Sequence, residues 1–150
     1  MKIAIGSDHA GWAIKQKIIA YLHAQTISVT DFGTFGVDSV DYPDYARPVA
    51  QAVAKGSCDY GILVCYTGIG MSISANKVPG IRAALANTRE NVKLTREHND
   101  ANILCLGAKD VDVEQLNDII HLFLTTSFAH GRHERRIEKV MELEAVNEKR

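Results

Sequence analysis

The sequence predicts an α/β protein, a three-layer doubly wound sandwich built on one five-stranded parallel sheet. Three observations predict it. Short runs rich in branched apolar residues recur along the chain without the polar alternation of half-exposed strands. Between them lie longer segments whose apolar residues fall three and four apart, as on one face of a helix. A chain of 150 residues is also the size of one domain with enough surface to bury a core on both faces of such a sheet.

The elements follow in order. The runs "KIAIG" at 2–6, "ISVTDFG" at 27–33, "YGILVC" at 60–65, "IRAALA" at 81–86 and "NILCLG" at 102–107 read as buried strands. In "AIKQKIIAYLHA", Ile14, Ile18, Ile19 and Leu22 share a helical face while Lys15 and Gln16 point away from it. "PDYARPVAQAVAK" carries Val49 and Val53 four apart, and Pro48 predicts a helix that starts late or bends. A helix begins in "CYTGIGMSISANK", and Thr88 is placed to cap another over 88–98. Leu116, Ile119, Ile120 and Phe123 have core spacing in "VEQLNDIIHLFLTTSF". Right-handed crossovers between parallel strands give a Rossmann-like sheet with expected order 2-1-3-4-5. A highly charged last helix, about 133–148, keeps Ile137, Val140, Met141 and Val146 as apolar anchors and is expected to pack on a partner subunit.

Composition narrows the function. Hydrophobic residues are 46% and charged residues 23%, and the net charge is -1, so no basic excess points to nucleic acid. No apolar run approaches the ~20 residues that span a bilayer, and "MKIAIGSDHAG" lacks the apolar core of a secretory signal. Three cysteines, Cys58, Cys65 and Cys105, have neither disulfide-scaffold spacing nor CxxC metal pairs. The expectation is a single domain over 1–150, cytoplasmic, with no metal and no cofactor.

In a parallel α/β sheet, ligands bind beyond the carboxyl ends of the strands, and polar residues are expected to gather there. "GSDHAG" places Asp8 and His9 after the first strand, where an acid can orient an imidazole, or where Ser7 or Asp8 can simply cap a helix. After the third strand, Gly68 and Gly70 let backbone N–H groups approach an oxyanion or phosphate before a helix starts. The spacing is neither a Walker loop nor a dinucleotide fingerprint. Cys58 and Cys105 read as buried thiols. Cys65 stands at a strand end beside a helix N-terminus, a place that favours the anionic sulfur, so both a core role and a chemical one stay open. His98 and Asn99 end a helix just before the fifth strand, where a histidine can serve as an acid or bond helix-end carbonyls. "HGRHERR" packs His130, Arg132, His133, Arg135 and Arg136 together, and Arg132 and Arg136, four apart, can grip one phosphate or form a solvated face.

Taken together, "KIAIGSDHAG", "DYPDYA", "GILVCYTGIGMSISANKVPGIRAAL", "REHNDANILCLGAK" and "GRHERR" resemble, in order, the ribose-5-phosphate isomerase type B family, which includes the galactose-6-phosphate isomerase subunits. The resemblance implies metal-free interconversion of aldose and ketose phosphates through a cis-enediolate, in a homodimer or dimer of dimers with shared active sites. It implies that Cys65 moves the proton between C1 and C2 and that His98 assists ring opening. Thr67 and the amides from Tyr66 through Gly68 and Ile69 to Gly70 would hold the enediolate. Asp8, His9, Tyr42 and Lys109 would contact the substrate, with Asn99 from the partner subunit; Arg132 and Arg136, with His9, would bind the phosphate. One branch of the family takes its base from an acidic residue further along this loop; Met71 stands there, so the cysteine-dependent branch is the match.

Two departures bear on the substrate. Tyr66 stands where the family commonly has glycine, and Lys109 replaces an arginine, keeping the charge but losing the fork. Ribose 5-phosphate and ribulose 5-phosphate are the favoured pair, with allose 6-phosphate, galactose 6-phosphate or a tetrulose phosphate as alternatives. A phosphate-binding α/β domain without turnover, and thiol chemistry at Cys65, are the competing functions.

Overall fold

The structure is a computed structural model that describes residues 1–147. Five parallel strands, β1 (Lys2–Ser7), β2 (Ser28–Asp31), β3 (Tyr60–Cys65), β4 (Ala83–Leu85) and β5 (Ile103–Gly107), form one sheet. Among the described residues six α-helices join or flank them: α1 (Trp12–Ala24), α2 (Tyr42–Ala54), α3 (Ile69–Ala75), α4 (Arg89–Asn99), α5 (Leu116–Thr125) and α6 (Arg132–Asn147).

The strand order is β2-β1-β3-β5-β4, which corrects the expected 2-1-3-4-5. Burial explains the exchange. All five residues of β5 are buried, whereas β4 has three residues, none fully buried. The more apolar run takes the interior place beside β3, with Leu63 opposite Cys105 and Cys65 opposite Gly107, and the short strand is left at the edge.

Each face of the sheet has its own core. On one, Ile3, Ile5, Ile62, Val64, Leu104 and Leu106 meet Ile18 and Leu22 of α1, Val92 of α4 and Ile119, Ile120 and Phe123 of α5. On the other, Ala4, Leu63, Cys65, Ile103 and Cys105 meet Val49 and Ala50 of α2 and Met71 and Ala75 of α3. Small side chains on the second face let α2 lie close: a methyl group added at Gly61 would sit 3.0 Å from Val49.

Two helical expectations change. α2 runs continuously through Pro48 from a start at Tyr42, because the buried face formed by Ala46, Val49 and Ala50 offsets the one backbone bond that proline cannot make. Lys15 does not point away: it is fully buried, because Asp31 at the end of β2 and the Thr34 carbonyl each receive its ammonium at 2.6 Å. Thr88 caps α4 as expected, its hydroxyl accepting the Asn91 N–H at 3.2 Å.

α6 begins beside the end of α4, where the Ala129 N–H donates to the Glu97 carbonyl at 3.0 Å. It then passes the β4 edge, with the Glu144 carboxylate accepting the Gly80 N–H at 2.9 Å. Its Ile137 and Met141 are half-buried, whereas Val140, Leu143 and Val146 stay exposed. Position 148 of the expected helix lies outside the described residues. No helix among the described residues is long and apolar enough to cross a membrane.

The face-to-face packing makes Phe123 a test of the first core. It is fully buried and meets Tyr60 edge to face at 5.5 Å. Phe123→Ala is expected to cost about 3–5 kcal/mol of unfolding free energy, measured by urea denaturation.

Candidate active site

At the carboxyl edge of the sheet the chain after β3 is forced into a tight turn. Gly68 adopts φ 78°, a conformation that glycine takes without strain. A side chain there would meet the Leu106 carbonyl oxygen at 3.0 Å, and one at Gly107 would meet the Thr67 carbonyl oxygen at 2.6 Å. The thiol turn therefore lies directly on the end of β5. Backbone bonds fix it: Ala108 N–H donates to the Cys65 carbonyl at 2.9 Å and Lys109 N–H to the Tyr66 carbonyl at 3.1 Å. Asn87, after β4, accepts the Gly107 N–H at 2.8 Å.

This geometry aims amides at sulfur. Cys65 is 4% exposed, and its Sγ accepts the Gly68 N–H at 3.1 Å. The Ile69 N–H donates to the Thr67 hydroxyl at 3.2 Å, which leaves the hydroxyl proton for another acceptor. The Tyr66 carbonyl, the helical acceptor for Gly70, is taken by Lys109. The first-turn amide of Gly70 thus remains available to a ligand. The Tyr42 ring packs on Gly70, where an added side chain would meet it at 2.6 Å. Met71 is fully buried in the second core.

Asp8 and His9 sit on the neighbouring turn after β1, each oriented by backbone. Asp8, 6% exposed, accepts the Gly11 N–H through Oδ1 at 2.9 Å, closing the turn into α1. The Nδ1 of His9 accepts the Val40 N–H at 3.1 Å. An accepting Nδ1 places the imidazole proton on Nε2, which becomes a donor. Tyr66 is 60% exposed at the rim. Beside it the Lys109 ammonium is held above its ordinary pKa by a hydrogen bond to Asp110 at 3.0 Å and by that carboxylate's charge.

The remaining predicted residues lie elsewhere, at the edge where the strands begin. α4 starts after β4 at the carboxyl edge and runs back to the start of β5, so its eleven residues carry His98 and Asn99 about 16 Å along the helix axis to the opposite edge. There the rings of His98 and His133 stack with centroids 4.2 Å apart and planes 13° from parallel. Arg132 and Arg136 open α6 at the same edge, both exposed. The His133 pKa is lowered by partial burial first, then by the charges of His98, Arg132 and Arg136, with Glu97 opposing. The chain thus carries two separate groups of candidate residues: a thiol and amides at one edge of the sheet, and imidazoles and guanidinium groups at the other.

Sequence reasoning missed Asn87, Asp31 and Lys15. All three act on backbone groups brought near by folding, and none lies in a spacing that announces it. Cys105 is fully buried, and burial, then the neighbouring Cys65, pushes its thiol up in pKa, leaving it protonated.

These features define a class: a doubly wound α/β enzyme with an amide-ringed thiol at the carboxyl edge of its sheet. Residues 3–140 match the model of the ribose/galactose isomerase family. The chain is 50% identical over 148 residues, covering 98% of itself and 99% of its relative, to a Bacillus subtilis protein provisionally named a sugar phosphate isomerase. It is 43% identical over 143 residues to Escherichia coli ribose-5-phosphate isomerase B, covering 95% and 96% of the two chains. The structure of Clostridium thermocellum ribose-5-phosphate isomerase B superposes with a TM-score of 0.96 at 49% identity, covering 98% and 99%. The Mycoplasma genitalium enzyme with bound ribulose-5-phosphate gives 0.91 at 40% identity, covering 96% of each chain. The chain belongs to the ribose/galactose isomerase family and is an aldose–ketose isomerase.

The stacked pair yields a test through His133. Because the folded chain holds His133 below the ordinary imidazole value, the unfolded chain takes that proton first as pH falls, and stability drops through that range. His98→Gln removes one like charge and is expected to raise the His133 pKa toward, but not to, its ordinary value, as read by proton NMR titration.

Proposed function

We propose that the protein interconverts ribose 5-phosphate and ribulose 5-phosphate, with Cys65 as the base and no metal or other cofactor. The observation that carries this reading is the Gly68 N–H on the Cys65 sulfur, with the unbonded Gly70 amide two residues further along the same turn. The sulfur takes the proton from C2 of the aldose and returns it to C1. The enediolate charge that develops between these steps falls on the Thr67 hydroxyl and the amides from Tyr66 to Gly70. Asp8, His9, Tyr42 and Lys109 contact the sugar hydroxyls or its phosphate. His98 opens the sugar ring, Asn99 helps hold the chain, and Arg132 and Arg136 bind the phosphate with His9.

Because the two groups lie at opposite edges of the sheet, this assignment requires two chains. We infer a homodimer, or a dimer of dimers, in which the His98 edge of one protomer completes the Cys65 edge of its partner. Ile69 and Ile73, four apart on α3 next to the thiol turn, are 51% and 57% exposed and offer apolar surface to a second copy. Val140 and Leu143 do the same on α6. The three buried free thiols suit a reducing cytoplasm.

Cys65→Ala is expected to lower kcat by on the order of 10²–10⁴-fold with the fold unchanged, measured by ketose formation. Near wild-type turnover would remove the base assignment. A panel of four-, five- and six-carbon sugar phosphates, run on the wild type and on Tyr66→Gly, separates the pentose reading from the hexose and tetrose ones.

Mixing two inactive variants tests the sharing of sites. A dimer of one Cys65→Ala chain and one His98→Gln chain contains one site with both lesions and one intact site. After unfolding and refolding together, about a quarter of the wild-type sites should return if the symmetry is two-fold. No recovery means that each site is built from one chain.

A further inference from the structure

We infer that Lys15 is a positioning residue for the reaction: its buried ammonium holds the 31–40 segment in the shape that orients the His9 imidazole. The inference deepens the reading of His9 as a substrate contact and rests on it for its kinetic consequence alone.

Lys15 is fully buried among Ile14, Ile18 and Leu22, in a helix whose inner face is otherwise apolar. An ion pair in such a place is weak evidence of stability, since an apolar side chain of similar volume often serves as well. What the lysine supplies instead is geometry. Its Nζ reaches Asp31 Oδ1 and the Thr34 carbonyl, each at 2.6 Å, with the Phe35 ring 4.9 Å away. The same Asp31 oxygen accepts the Gly33 N–H at 2.9 Å. Beyond the end of β2, Ser7 N–H donates to the Gly33 carbonyl at 2.7 Å and Thr34 N–H to the Ser7 carbonyl at 2.8 Å. One ammonium therefore fastens the chain across the carboxyl end of β1, immediately before Asp8 and His9.

From Thr34 the segment passes over the site and returns at Val40, whose N–H donates to His9 Nδ1 at 3.1 Å. It then enters α2 at Tyr42, the ring that packs on Gly70. The segment thus ends on two parts of the active site. Between these ends Phe35 and Val37 are 73% and 72% exposed, so little apolar contact holds it down. The Lys15 contact with the Thr34 carbonyl is the anchor nearest to its free span. Through Val40 that anchor selects the His9 tautomer with the proton on Nε2, the donor available to a phosphate or hydroxyl.

Nitrogen-15 NMR of histidine-labelled protein reads the tautomer without reference to activity. In the wild type, His9 is expected as the Nε2–H form with a hydrogen-bonded Nδ1. In Lys15→Met that preference should be lost while the melting transition stays cooperative. Kinetically, KM for ribose 5-phosphate should rise about tenfold, the effect of one mispositioned hydrogen bond, with little change in kcat. Adding His9→Ala to Lys15→Met should then cost far less than His9→Ala costs alone. Because Lys15→Met leaves Asp31 unpaired, Lys15→Met/Asp31→Asn serves as the second variant: it removes both charges and keeps an acceptor for Gly33.

Retention of the His9 tautomer in folded variants, or additive effects with His9→Ala, would overturn the inference. Failure of both variants to fold would also overturn it, by making the pair a stability element. If the wild type turns over no sugar phosphate, the proposed function fails while the NMR result still decides whether Lys15 orients His9.

Discussion

Everything at the active edge depends on how closely two glycines let the thiol turn lie on the end of β5. At Gly68 and Gly107 the backbones approach to distances that a side chain would occupy. That contact lets Ala108 and Lys109 bond the carbonyls of Cys65 and Tyr66. With its carbonyls secured, the turn can point its amides the other way, toward the sulfur and the substrate. A looser turn would direct the same amides to water, and the donors that the proposed mechanism uses for the enediolate would no longer be preorganised.

A second constraint is topological. Helices that connect parallel strands run opposite to them, so the end of any such helix lies at the edge where strands begin. α4 obeys this, and it carries His98 and Asn99 away from Cys65. α6 starts from the same edge with Arg132 and Arg136. No local rearrangement brings these groups to the thiol without breaking the sheet. Each chain therefore carries a thiol with amides at one edge and imidazoles with guanidinium groups at the other, and the proposed catalytic roles join them only across two chains. Under that proposal, proton transfer and phosphate binding depend on assembly.

The fold was legible where the sequence carries a period. "YGILVC" begins and ends as the strand does, and Thr88 caps α4 as its position implies. The placement of Cys65, Thr67 and the glycine turn was legible for a similar reason, since they are close in sequence and local geometry places them. The order of β4 and β5 was not legible from alternation alone. Both runs look like strands, and their places depend on which one loses more by remaining at the edge, a difference set by neighbours on either side. Lys15 was misread because a helical pattern sorts residues by polarity and does not see that a carboxylate and a carbonyl wait across the interface.

The sequence by itself determined that this is an α/β protein with a cysteine, a hydroxyl and glycine amides at the end of one strand, and that its ordered motifs belong to the ribose/galactose isomerases. These are properties of short segments and of their order, governed by steric and periodic rules that act along the chain. Tertiary structure alone decided that β5 takes the interior place, that Lys15 is buried against the segment over His9, and that the histidine and arginine groups stand apart from the thiol. Each of those depends on distances between residues remote in sequence, which burial and hydrogen-bond satisfaction fix only once the layers close.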